Sequence, residues 1–267
     1  MIAIRNLLNA IWSLLAGLVL ASCAHPDHRQ AELKVMTSGG FTAAFDRIAP
    51  TYEAEHNVRL LIAYGASIGG APDSIPARLA RGEQADVVIL ARQGVDRLVA
   101  QGLVDGSSVT DLVRSQIGMA IPANAQRPDI STPEGFAAAL LQARRIGYSA
   151  SASGTYLAEE LLPRLAIYPA IRDRLVRIES ERVASVVARG EVDIGFQQVS
   201  EILPIPGAQF AGLIPAEYQR TTIFSAGITT STPRKEQAEQ LIRFLAAPRH
   251  AEIIRQTGLD PIGIAGR

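Results

Sequence analysis

The sequence predicts an α/β protein of two lobes with a hinged cleft between them. Strand-type and helix-type segments alternate almost throughout. Roughly 235 residues follow a leader-like first segment, which is long for one compact core and suits two lobes of ordinary size. Three strand ends run into stretches of Ser, Gly and Ala where a helix begins. Alternation of this kind implies mostly parallel sheets with right-handed crossovers.

The first residues set the compartment. Met1 to Arg5 carries one positive charge, Leu7 to Leu20 is largely apolar, and Leu20-Ala21-Ser22-Cys23 closes the run. A basic start, an apolar stretch and a small-residue exit make a secretory signal, and the stretch is short for a bilayer span with these flanks. The protein is therefore expected to be periplasmic or otherwise extracytoplasmic. The closing tetrapeptide also resembles the bacterial lipoprotein processing site, which makes Cys23 a candidate for lipidation; cleavage to a soluble product is the alternative. Cys23 is the only cysteine, so no intramolecular disulfide forms and the core must hold the fold. Residues 1–23 read as the signal and 24–31 as a tether.

Leu33 to Met36 reads as the first strand, and Phe41, Phe45, Ile48, Ala49 and Tyr52 then share one helical face. Arg59 to Tyr64 is a strand, Ile75 to Arg81 a helix, Val87 to Leu90 a buried strand, and Val95 to Gln101 a helix that Gly102 ends. Ile117 to Ile121, closed by Pro122, reads as a strand crossing into the second lobe. There Pro133 to Ala143 is helical, Arg145 to Tyr148 is a strand, and a helix opens near Gly154 and runs to Leu162. Val176 to Ile178 and Val192 to Phe196 are strands on either side of a helix near Val183 to Arg189. Ile223 to Ile228 is a return strand, and Lys235 to Ala246 and Ala251 to Thr257 are closing helices. The lobes are expected to comprise 31–118 with 225–267, and 119–220.

The three small-residue corners describe an anion pocket. They are Thr37-Ser38-Gly39-Gly40, Gly65 to Gly70 with Ser67 at its centre, and Ser149 to Gly154 with Ser151 and Ser153. Small residues let ligand atoms approach the backbone, and a helix N-terminus offers unpaired N–H donors at a positive dipole end. Read singly, each is an ordinary strand-to-helix turn; three at strand ends of one α/β chain favour a cleft. Arg92 follows the buried strand at its carboxyl end, where a ligand would sit. Of Gln197 and Gln198, one is expected to face the pocket, because strand side chains alternate.

Basic and acidic residues balance at 26 each, with no run of like charge, so nucleic acid is not an expected partner. No metal-ligand spacing, Walker loop, nucleophile elbow or dinucleotide fingerprint is present, and no cofactor or metal is indicated. Ser67 and Ser153 have no nearby His to activate them, which argues against a serine hydrolase. His25 and His28 lie in the tether, and His56 and His250 read as surface residues.

The stretches Leu33 to Thr42, Gly82 to Ile89, Ser153 to Ala158, Arg189 to Phe196, Glu239 to Pro248 and Gly258 to Pro261, individually weak and jointly specific, resemble the molybdate-binding family of periplasmic solute-binding proteins. The resemblance implies a type II periplasmic binding fold, with the pocket at Gly40, Ser67, Ser153, around Ser180, and at Gln198. The sequence departs from the family where an oxyanion-binding serine aligns with Gly40, with Ser38 two residues away, and where a pocket tyrosine aligns with Gln198. Those departures imply a larger ligand than a tetrahedral dianion, such as a polycarboxylate. Ser38 to Phe41, Tyr64 to Pro72, Glu179 to Val183 and Gly195 to Glu201 resemble more narrowly a branch that includes an aconitate isomerase.

The narrower resemblance implies interconversion of cis and trans tricarboxylates by a proton shift. Such chemistry needs a base near carbon and donors for a developing enolate. The helix starts at Gly39, Gly40, Ser153 and Gly154 offer donors, and Arg92 or Arg182 a cation for a carboxylate. Tyr64, Tyr148 and Glu181 are the candidate bases, each with a packing or ion-pair role as the alternative. The second reading is a monomeric receptor that captures a small anion and delivers it to a membrane importer, and the third a sensor.

Overall fold

The computed structural model describes residues 30–262. The expected signal, most of the tether and Cys23 lie outside the described residues. Two sheets, each with its own helices, organise the chain. The first half begins with β1 (Ala31–Ser38), α1 (Gly39–His56), β2 (Val58–Gly65), α2 (Ile75–Ala80), β3 (Val87–Ala91), α3 (Arg92–Ala100) and β4 (Thr110–Ser115). The second half holds β5 (Ile117–Pro122), α4 (Pro133–Gln142), β6 (Ile146–Ser149), α5 (Ala152–Tyr156), α6 (Tyr168–Ile171), β7 (Leu175–Ile178), α7 (Val183–Ala188), β8 (Ile194–Gln198), α8 (Val199–Ile202) and β9 (Ala208–Leu213). The chain then returns through β10 (Thr222–Ile228), α9 (Lys235–Leu245), α10 (Ala251–Arg255) and β11 (Asp260–Pro261). Strand order is β11-β4-β10-β3-β1-β2 in the first sheet and β7-β6-β8-β5-β9 in the second.

Strand alternation sorts each core onto two faces. In β3, Val87 and Ile89 join Phe41, Phe45, Ile48 and Tyr52 of α1, while Val88 and Leu90 face Ile75, Val95 and Leu98. All five residues of β3 are buried because the strand lies between β1 and β10 and is covered on both sides. In the second sheet Ile117, Met119, Ile146 and Phe196 pack on Phe136 and Leu140, and Ala120 and Ile178 pack on Val183 and Val187.

Local signals fix the helix ends. Asn57 ends α1 in the left-handed region at φ 50° and ψ 43°, a conformation its short polar side chain tolerates. Thr132 caps α4 by accepting from the Gly135 N–H at 3.2 Å, with Pro133 at the first helical position. The helix expected to open near Gly154 starts two residues earlier, at Ala152, and continues past Tyr156 as a π-helical turn over Leu157–Leu161.

Both sheets are mixed. The pairs β1/β3, β6/β7 and β6/β8 are parallel, whereas β10 opposes β3 and β4, and β5 opposes β8 and β9. The reason lies in the crossings. β5 and β10 receive the chain from the other half, start where the halves meet, and so run against strands whose carboxyl ends point there. β4 and β9 were not expected from the sequence. Neither has a clean apolar pattern: β4 carries Asp111 and Arg114, and β9 carries Gln209 and Gly212 on an edge.

Candidate functional site

The three small-residue corners meet around one cavity of about 430 Å³. Gly39 and Gly40 come from the start of α1, Gly65 to Ser67 from the end of β2, and Ser149 to Ser153 from the end of β6. The second half adds Ser180, Glu181 and Arg182 after β7, Gln197 and Gln198 at the end of β8, and Glu201 from α8. Phe224 of β10 also lines it.

Several bonds join the halves across the cavity. The Ser67 N–H donates to Ser151 Oγ at 3.3 Å, Ser180 Oγ donates to Asp73 Oδ1 at 3.0 Å, and Ser200 Oγ donates to the Gly40 carbonyl at 2.7 Å. Asp73 belongs to the segment after Ser67 and reaches the opposite half through its bond with Ser180. Ser67 Oγ accepts from the Ala91 N–H at 3.0 Å, which leaves its own proton to donate. Ser153 Oγ lies 3.4 Å from Ser149 Oγ.

Both glutamines line the cavity, not one of the two. β8 ends at Gln198, so alternation no longer separates them there. Gln197 Oε1 accepts from the Ala184 N–H at 3.3 Å, and Gln198 Nε2 donates to Thr222 Oγ1 at 2.9 Å. Gln198 Oε1 is buried without a partner among the described residues. Turned over, the same amide would accept from Thr222 and present its NH2 to a ligand.

The expected widening at Gly40 does not occur. A Cβ at Gly40 would overlap the Phe224 ring, and one at Gly39 would fall 2.9 Å from Glu201 Cδ. The space a serine would occupy is therefore filled by Phe224, and the glycines admit these two side chains.

Four expected site residues lie elsewhere. Ser38 is buried at the start of α1, makes no capping bond and does not line the cavity. Arg92 is held away from it by Asp96 at 2.8 Å and Asp111 at 2.8 Å, the latter on the unexpected strand β4. Tyr148 falls on the face of Ile146, opposite Ser149, by strand alternation. Gly154 packs its α-carbon against the backbone of Ser149, shaping the corner without lining it.

The remaining base candidates are also occupied. Tyr64 donates to Asp46 Oδ1 at 2.7 Å, and burial, followed by that bond and the Asp46 charge, pushes its hydroxyl up to about 12. Glu181 grips Arg189 through two bonds at 2.9 and 3.0 Å. Arg182, by contrast, forms no ion pair among the described residues, since Glu179 pairs with Arg177 and Glu181 with Arg189. Among the described residues it is the only cation lining the cavity.

Glu201 is the residue that sequence reasoning missed. It is half-buried and lines the cavity. Burial pushes its carboxyl up to about 7, against the opposing charge of Arg182. His250, expected at the surface, is buried beside Phe244, takes a bond from Arg249 Nε at 3.2 Å and does not line the cavity.

Between the two α/β halves the cavity thus presents amides, hydroxyls and, among the described residues, one guanidinium outside any ion pair. The chain belongs to the bacterial extracellular solute-binding protein family, whose model matches residues 33–260. Aconitate isomerase from a Pseudomonas species is 40% identical over 230 residues, covering 86% of this chain and 88% of that protein. The periplasmic molybdate-binding protein of Azotobacter vinelandii is 25% identical with a TM-score of 0.66, covering 85% of this chain and 98% of that one. PEB3 of Campylobacter jejuni with L-phospholactate bound has the same fold at 12% identity and a TM-score of 0.64, covering 85% and 99%. The family places the protein outside the cytoplasm.

Proposed function

We propose that the protein is an isomerase of aconitate type built on a periplasmic-binding scaffold. It interconverts the cis and trans forms of a small tricarboxylate by moving a proton across an allylic unit, a redox-neutral shift that needs no cofactor. The observation that carries this reading is the 40% identity to an aconitate isomerase over nearly the full length of both chains. The cavity supports it: about 430 Å³ exceeds what a tetrahedral oxyanion fills, and the lone guanidinium of Arg182 suits a carboxylate. Ser67, Ser153 and the amides at the start of α1 supply further donors. Residues 31–118 with 225–267, and 119–220, act as two lobes that close on the ligand. The protein works as a monomer, tethered to the membrane through lipidated Cys23.

The test is direct. Purified protein is incubated with trans-aconitate in deuterated water and followed by NMR for cis-aconitate and for deuterium at carbon. Conversion with exchange is expected. Tight binding without conversion would leave a receptor for an importer, and tight molybdate binding in its place would return the protein to the broad family.

Two substitutions locate the ligand. Ser67→Ala and Ser153→Ala are each expected to weaken trans-aconitate binding about 3- to 10-fold, the value of a hydrogen bond. Ser67→Ala should also lower the thermal midpoint, because the buried Ala91 N–H loses its acceptor. Arg92→Ala should leave affinity within about twofold, as exposed ion pairs contribute little. A large loss in calorimetry at Arg92, with none at Ser153, would misplace the site.

A further inference from the structure

We propose that Glu201 is the catalytic base, the group that takes a proton from the methylene carbon of the tricarboxylate and returns one across the allylic unit. This rests on the isomerase reading above. The cavity is lined by Asp46, Asp73, Glu179, Glu181 and Glu201. Four of these carboxylates are engaged: Asp46 by Tyr64 at 2.7 Å, Asp73 by Ser180 at 3.0 Å, Glu179 by Arg177 at 3.2 Å and Glu181 by Arg189 at 2.9 Å. Glu201 forms no ion pair among the described residues, and the charge that bears on it is that of Arg182.

Its position suits the task. The carboxylate projects from the second half onto Gly39, at the opening of the eighteen-residue helix α1. The absence of a side chain at Gly39 is what admits it, since a Cβ there would lie 2.9 Å from Glu201 Cδ. A substrate carboxylate held by Arg182 and the amides opening α1 would place its neighbouring carbons beside Glu201, and the same amides would steady the enediolate. Held at about 7 by burial, the carboxyl is populated in both base and acid forms at neutral pH.

The step balances. Glu201 takes one proton from the methylene carbon, and the C–H electron pair becomes the new C=C. The old π pair moves into the adjoining carboxylate as an enediolate and then back onto the distal carbon, which takes a proton from the Glu201 carboxyl. Nothing is oxidised or reduced, and no group leaves.

Glu201→Gln keeps the size of the side chain and removes its basicity. Turnover of trans-aconitate, read by NMR, is expected to fall at least about 100-fold, the scale of general base catalysis. Calorimetric affinity for trans-aconitate should stay within about threefold or improve, because a negative charge leaves an anion site. Gly39→Ala, which displaces the carboxylate while leaving it chemically intact, should lower turnover about tenfold or more. If the parent protein converts trans-aconitate and Glu201→Gln keeps a rate within about threefold of it, Glu201 is not the base and the isomerase reading stands. Parental turnover in Gly39→Ala would also overturn the assignment. A parent that binds trans-aconitate without converting it removes the isomerase reading and this inference together.

Discussion

Replacing Arg182 by Ala is expected to weaken trans-aconitate binding about 10- to 150-fold, the ~1.5–3 kcal/mol of a hydrogen bond to a charged group. Arg92 is engaged by Asp96 and Asp111 and Arg189 by Glu181, whereas Arg182 lines the cavity and forms no ion pair among the described residues. Arg182→Lys should recover part of the loss, because it restores charge without the two-pronged geometry that fits a carboxylate. A second consequence follows from the position of Arg182 near Glu201. Its positive charge holds the Glu201 carboxyl down, so its removal lets that group rise above about 7. The acid limb of the rate–pH profile should then move to higher pH in Arg182→Ala. Calorimetry and a pH profile check both parts, and unchanged affinity would remove Arg182 from the site.

The same raised carboxyl sets a stability trend in the free protein. A carboxyl at about 7 in the fold and near its ordinary 4.5 when unfolded holds its proton longer in the native state. Its contribution to stability is full below about 4.5 and is lost as pH rises through about 7.

The corners of the site were legible because each is a local event. A strand end, a run of small residues and a helix start lie within ten residues of one another, and Gly39, Ser67 and Ser153 could be placed by that pattern alone. Arg92 was misread by the same local rule. It does follow a buried strand, but Asp96 one turn on and Asp111 on β4 capture it, and β4 gave no apolar signal. Tyr64 and Glu181 line the cavity, and each is bonded to a partner the local pattern did not show, Asp46 and Arg189. Gly40 shows the limit most plainly: its missing side chain implied room, and that room is taken by Phe224 from the far end of the chain. Glu201 lies on a four-residue helix with no periodicity to read, and its importance comes from burial against Gly39 in the other half.

Gly154→Ala is expected to damage both stability and binding without touching a ligand. A Cβ at this position would fall 2.6 Å from the Ser149 carbonyl carbon and 2.7 Å from its nitrogen. These are backbone atoms at the end of a strand paired on both sides, so they cannot swing away as a side chain would. Gly154 has ordinary helical backbone, which makes the requirement one of space alone. Overpacking of this kind costs about 1–3 kcal/mol, or a fall of several degrees in thermal midpoint for a protein of this size. The strain is relieved only by shifting the segment from Ser149 to Ser153, which carries Ser151 against Ser67 and Ser153 into the cavity. Affinity for trans-aconitate should therefore fall together with the midpoint. Gly70→Ala is the control: nothing lies within 4 Å of a Cβ at Gly70, so both readouts should hold. If Gly154→Ala matched that control, the Ser149 corner would be yielding, and a site that depends on its rigid placement would lose its physical basis.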